Sequence, residues 1–403
     1  MFTFLKEYNT RSEKALLALF IIAFCQETLF IYPVAMLSHL GALSGLRNVI
    51  FPLTYTILAI IAISGRDVTR YIRFSDFCLI AFFAVYVFIS YRLNYKQTQA
   101  ISDALIPQIL PCIPFLFFGL CIKIDSLSMD TLGKWCCIAV VVTSVYRLMY
   151  QVPETQWEKN YNMGAAYSLL PNVMVTIDYL FRSKKKFIPL VCAVVGIFYL
   201  FAMGTRGPIV IVFALLFVRI LFSVNIKKIW MVLITILFVF FLIWLSTSST
   251  LIYLLALLGN VLSSLGLSSR ATDFGVSGEF ISNTTGRTEI TEMLLSKMND
   301  LPPFGFGVLG ENRFDILYAH NLYIQIFFDY GYLFGSLILL FVVTISIKAL
   351  WKTNHKLMQH WVLIWVVYVF VVGFFGGGVL RYEFFMLIGI CLRVLRMKVI
   401  EII

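Results

Sequence analysis

Charged side chains are scarce here: they make up 13% of the 403 residues, while 60% are apolar. A soluble domain keeps roughly half its residues apolar and about a quarter charged, so a string of solvated domains is excluded. Histidine is rarer still, with four residues. The eight cysteines (Cys25, Cys78, Cys112, Cys121, Cys136, Cys137, Cys192 and Cys391) fall in or beside apolar stretches without metal-ligand spacing. Neither a zinc site nor a disulfide framework is expected from them. The opening MFTFLKEYNTRSEK lacks a clear cleavage site and leads into an apolar run interrupted by Gln26 and Glu27. It reads as a retained first helix and not as a signal peptide.

What the chain has in abundance is the long apolar run. A helix needs about 20 mostly apolar residues to cross a bilayer, and such stretches recur from Ala15 to the C-terminus. The expected fold is an all-α polytopic membrane protein of about 12 transmembrane helices, one body over residues 1–403. Apolar runs and their breakers place spans near 15–37, 46–64, 75–91, 104–122, 133–150, 163–181, 187–203, 208–223, 229–247, 332–350, 358–374 and 382–400.

The net charge of +11 would suggest nucleic acid in a soluble protein. In a membrane protein, Lys and Arg gather instead on cytoplasmic loops. With both termini in the cytoplasm, 20 of the 32 basic residues fall on the inner side, among them Arg66, Arg70, Arg73, Lys184, Lys185 and Lys186. The short outer loops hold Arg47, Arg92, Lys96, Lys159, Arg206 and Arg381. No nucleic-acid partner is expected.

One connection differs from the rest, because 84 residues, 248–331, separate the ninth span from the tenth on the outer face. This extracytoplasmic loop holds eight acids, including Glu311, Asp315 and Asp329, against four bases: Arg270, Arg287, Lys297 and Arg313. Residues 251–266 are apolar but short for a span, so they are expected to lie along the membrane surface or to extend the ninth helix. TEITEMLLSKM from Thr288 has helical spacing at Ile290, Met293, Leu294 and Met298, and is expected to pack on the membrane body.

Six residues stand out for chemistry. Arg206 lies in GTRG between two spans, and is either a phosphate clamp, for which its planar fork of donors is suited, or a snorkelling or capping arginine. Arg287 opens the loop helix, where backbone donors also favour an anion, although charged helix starts are common on solvated loops. His320, in YAHNLYIQ, is either an acid/base group or a cap on the next helix. Asn321 beside it would orient the ring or bind a sugar hydroxyl, and Arg313 is the loop's further cationic candidate for substrate. Glu27, an acid within a span, is a functional candidate or a structural partner for another helix. Asp178, near a cytoplasmic helix end, is expected to be solvated.

Three stretches in order resemble the superfamily of Wzy-type O-antigen polymerases and WaaL-type O-antigen ligases. AMGTRGPIVIVFALL from Ala202 is similar to the family's arginine turn and following helix. TGRTEITEMLLSKMNDLPPFGFGVLGENRFDILYAHNLYIQIFFDYGYLFG, from Thr285 to Gly335, resembles its loop signature: an arginine, a short helix, a glycine-rich turn, then AHN and a helix. YNMGAAYSLLP from Tyr161 resembles a less specific span. The likeness covers about half the chain, and departs from the family at Thr288–Thr291, where an aromatic residue is usual.

The resemblance implies a GT-C-like membrane glycosyltransferase of the bacterial inner membrane, acting at the outer face on oligosaccharides carried by undecaprenyl pyrophosphate. Arg206, Arg287 and His320 match its functional positions. It implies no cofactor and no metal, since metal-using relatives carry acidic pairs where the first outer loop here, LSHLGALS, has none. Its partners would be the lipid-linked donor and acceptor, the bilayer and a chain-length regulator. Polymerase is favoured over ligase. A lipid-linked oligosaccharide flippase is the alternative from another class, but two similar halves would be expected of it.

Overall fold

In the computed structural model, residues 11–25, 71–150, 163–202, 206–223, 287–316, 321–353, 355–375 and 380–397 are described, with single positions elsewhere. In chain order the helices are α1 (Arg11–Phe24), α2 (Phe74–Tyr91), α3 (Tyr95–Ala104), α4 (Leu110–Cys121), α5 (Ser126–Tyr150), α6 (Met163–Arg182), α7 (Phe187–Ala202), α8 (Arg206–Ser223), α9 (Arg287–Met298), α10 (Leu322–Lys352), α11 (Lys356–Phe375) and α12 (Tyr382–Arg396). Strands are absent among the described residues. Four of these helices are long and apolar enough to cross a membrane, over Phe74–Tyr91, Ser126–Tyr146, Leu322–Lys352 and Lys356–Phe374. Their outward faces carry large apolar side chains such as Phe77, Phe82, Phe88, Leu333, Leu337 and Leu340. Exposed apolar area on this scale is costly in water and natural in lipid, so the chain is a helical membrane protein.

The spans expected near 46–64 and 229–247, and the apolar segment 251–266, lie outside the described residues apart from isolated positions. Elsewhere the apolar-run reading finds the helices but misplaces three of their ends. The fifth expected span begins earlier, at Ser126, because Asp125 caps it: its Oδ1 accepts from the Ser128 amide at 2.8 Å. The fourth is a π-turn over Leu105–Ile109 followed by α4, with Pro111 near the start of α4, and the polar α3 runs into it from Tyr95. The tenth starts at Leu322 and is broken at Gly331, where φ is 75° and ψ is 170°.

By contacts, the chain divides into two compact units, one comprising residues 1–7, 17–60 and 125–284, the other 8–16, 61–124 and 285–403. In the first, α6 packs against α5, α7 and α8. Asp178 is 3% exposed, which corrects its reading as a solvated acid. Its carboxylate meets Arg182 at 2.7 Å and Arg219, on α8, at 3.2 Å, while Arg182 reaches Asp130 on α5 at 2.6 Å. Burying either charge without the other would cost several kcal/mol. These ion pairs therefore tie three helices at one level.

In the second unit, α12 crosses α4 so closely that neither helix has room for a side chain at the crossing. A Cβ on Gly119 would meet the Met386 carbonyl oxygen at 2.5 Å and the Ile390 amide at 2.7 Å, and one on Gly389 would strike the Leu116 carbonyl. Small residues at such crossings let backbones approach where lipid gives no hydrophobic drive. Beyond the crossing, Arg396 grips Asp76 with both guanidinium arms, at 2.5 and 2.6 Å. Arg393, 4% exposed, donates to the Leu120 and Ile122 carbonyls and lies 4.4 Å over the Tyr71 ring. Replacing Gly119 by valine should force the crossing apart at about 1–3 kcal/mol. The detergent-solubilised protein would then unfold several degrees lower, and an unchanged melting midpoint would contradict the tight crossing.

Candidate functional site

The glycine-rich turn, residues 302–316, folds onto the first turns of α10 as a hydrogen-bonded clasp. The amide of Phe306 donates to the Phe328 carbonyl at 2.8 Å, and that of Gly307 to the Asp329 carbonyl at 2.9 Å. Gly305, with φ at 72°, and Gly331 sit back to back: a Cβ on Gly331 would collide with the Pro303 carbonyl, and one on Gly305 with that of Asp329. A positive φ is cheap for glycine. The turn then enters a short 3-10 helix, Gly310–Phe314, flanked by Leu309 (φ 57°) and Asp315 (φ 61°). A left-handed leucine costs on the order of 1–3 kcal/mol. It is held in place from α10, where Asp329 takes hydrogen bonds from the Leu309 and Gly310 amides, the latter at 3.2 Å.

Two earlier helices close the other side. The Tyr86 hydroxyl of α2 shares its one proton between the Phe304 and Asp329 carbonyls, at 2.8 and 2.6 Å, and its ring stacks on Tyr330. One turn on, Ser90 accepts from the Val308 amide at 2.9 Å. Gln97 of α3, fully buried, donates to the Phe306 and Val308 carbonyls. Sequence reasoning missed this polar edge of an otherwise apolar helix. Its signal is a tyrosine and a serine four residues apart at the end of a span, followed by a short helix too polar to be lipid-facing.

Arg313 is half-buried in the clasp. Its Nε donates to Gln97 Oε1 at 2.8 Å, its guanidinium stands 5.6 Å over the Phe306 ring, and its Nη2 has no acceptor among the described residues. Burial lowers its pKa from the ordinary arginine value and Tyr86 opposes that shift. Glu311, fully buried, has its carboxyl pushed up to about 7 by loss of water, with its own backbone and Asp329 holding it back. On the surface Lys96 pairs with Asp315 at 2.6 Å.

The helix expected from Thr288 is α9, and Arg287 is its first residue. Its Leu294 and Met298 are buried with Ile316, Ala319 and Phe328, and Ile290 packs at the edge. The partner is therefore the clasp and the head of α10. Met293, expected on the packed face, is 46% exposed: the stripe is narrower than its four apolar positions suggest, because only one side of so short a helix meets a neighbour.

Asn321 is the N-cap of α10, its Oδ1 accepting from the Tyr323 and Ile324 amides at 2.9 and 3.2 Å. The capping role considered for His320 thus belongs to Asn321. His320 and Glu27 lie outside the described residues. Arg206 is the first residue of α8, in the other unit, following α7 after a short connection. Among the described residues, clusters of three or more potential metal ligands are absent.

Comparison with protein-family models, curated proteins and solved structures gives no match. The clasp itself yields a test of its two structural anchors. Gly331→Ala should strain the helix break and undock the turn, and Asn321→Ala should remove a cap for about 1 kcal/mol. Both variants should then be cleaved faster within 302–316 by an added protease. Wild-type resistance in both would contradict the clasp.

Proposed function

We propose that this protein polymerises undecaprenyl-pyrophosphate-linked oligosaccharide repeat units into a surface polysaccharide, O-antigen or capsule, at the outer face of the cytoplasmic membrane. The reading includes about twelve spans, both termini in the cytoplasm and residues 248–331 outside. One observation supports it above others. The stretch that resembles the polymerase and ligase signature folds as one module, in which α9 begins at Arg287, packs on the glycine-rich clasp and meets the helix that follows the AHN stretch.

In the proposed reaction, an acceptor sugar hydroxyl attacks the anomeric carbon of the donor. The bond from that carbon to the pyrophosphate oxygen breaks, and undecaprenyl pyrophosphate leaves with the electron pair. A single displacement inverts the anomeric centre. Negative charge builds on the phosphate as the bond breaks, and fixed cations at that place lower the barrier. Arg206 and Arg287 are assigned this role, with Arg313 contacting the sugar or phosphate through its unpaired Nη2. His320 would take the hydroxyl proton or hold the pyrophosphate. Asn321, its oxygen committed to the cap, would offer its amide nitrogen to a sugar hydroxyl.

The test is deletion of the gene in its host and complementation with wild type, Arg287→Ala or Arg206→Ala, followed by analysis of lipid-linked oligosaccharides and surface polymer. Both variants should reduce polymer at least a hundredfold, about 2.7 kcal/mol or more of transition-state stabilisation, with single repeats accumulating on the carrier. Normal polymer from either variant would remove that arginine from the reaction. Long chains stranded on the carrier after deletion would make the protein a ligase, and substrate held on the inner leaflet would make it a flippase.

A further inference from the structure

Glu311 and Asp329 are both fully buried, and their carboxyls are within hydrogen-bonding reach of each other across the joint between the clasp and α10. The other bonds around them are accounted for. Gln325 Nε2 donates to Glu311 Oε1 at 3.2 Å, and the Gly310 amide donates to Asp329 Oδ1. One oxygen of each, Glu311 Oε2 and Asp329 Oδ2, is buried and has no donor among the described residues. Neighbouring cations among the described residues are engaged elsewhere: Arg313 with Gln97 and the Phe306 ring, Lys297 over the Phe314 ring, Lys96 with Asp315 at the surface. Among the described residues, the remaining titratable neighbours are Tyr86, whose hydroxyl donates to the Asp329 carbonyl, Tyr330, stacked on Tyr86, and Cys112, which acts electrostatically on Tyr330. None supplies a positive charge. Two adjacent carboxylates in a dry site without a counter-ion are not tenable.

We infer that Glu311 and Asp329 share one proton, donated by one orphaned oxygen to the other, and that this proton latches the glycine-rich turn onto α10. The inference does not depend on the glycosyl-transfer reading. Undocking the turn would put both carboxyls in water, where they ionise in the ordinary carboxylate range. Docking therefore takes up a proton. A group whose folded-state pKa is raised in this way favours the docked form in acid and loses that advantage as pH climbs from the ordinary range to the raised value, here about 7 for Glu311.

The measurement is hydrogen exchange of peptides covering 302–316 in the full-length detergent-solubilised protein between about pH 5 and 8, each rate normalised to the unstructured rate at that pH. Protection of the turn should fall by up to about tenfold per pH unit up to about pH 7 and level off above it. Glu311→Gln and Asp329→Asn each supply a permanent N–H donor between the two side chains, and each should flatten the dependence while keeping the turn protected. Infrared spectra at neutral pH should show a protonated carboxyl band that Glu311→Gln loses. Flat wild-type protection, or a slope that persists in both variants, would overturn the shared proton. Protection at alkaline pH that Ca2+ or Mg2+ restores and EDTA removes would also overturn it, in favour of a bound cation. Should either variant fail to fold, the wild-type slope and the metal additions still decide.

Discussion

Irregular backbone at the end of an apolar helix has to find partners for its own amides, because a buried unpaired N–H costs about as much as a lost hydrogen bond. Phe306, Gly307, Leu309 and Gly310 find theirs on the last turn of α10 before Gly331, in the carbonyls of Phe328 and Asp329 and the Asp329 carboxyl, while Val308 finds Ser90 on α2. Much of the second unit around the turn depends on this arrangement. Tyr86 and Gln97 serve the carbonyls that the turn leaves over, Arg313 is held by Gln97, and α9 has something to pack on because Phe328 and Ile316 are fixed beneath it. Arg287, Arg313 and Asn321, among the residues proposed to bind phosphate and sugar, thus stand on a frame built mainly of main-chain bonds.

Elsewhere, within each unit taken by itself, the fastening changes from backbone to ions. Arg396 with Asp76, and Asp178 with its two arginines, are buried or nearly so, and each joins residues from different helices. Such pairs contribute little net stability against an apolar replacement, but they are intolerant of misalignment. A helix shifted by one residue would leave a charge alone in an apolar place. Their effect is to fix register among helices whose apolar faces would otherwise slide.

The helices themselves were legible because a bilayer imposes length and apolarity on them: ten of the expected spans coincide with described helices wholly or in part. Their ends were less so. Asp125 starts α5 by capping it, and this signal is invisible to a search for apolar runs. The loop helix α9 was legible from spacing, and the glycines of PPFGFGVLG marked a turn. The partner of that turn was not legible, because Tyr86, Ser90 and Gln97 precede it by more than 200 residues. Single polar residues at the end of a span carry no local mark of what they bind. Asp178 misled for the opposite reason: its position near a helix end suggested water, and the arginines that answer it are on its own helix and on α8.

The break at Gly331 has a mechanical corollary. The turn bonds to residues on the near side of the break, while Pro303 crowds Gly331 itself, so the turn acts as a splint across a joint. The angle between the two halves of α10 is then set by the splint and not by the helix. Any force that tilts the apolar half in the membrane, such as a change in bilayer thickness, would be felt first as tension in the Phe306 and Gly307 bonds.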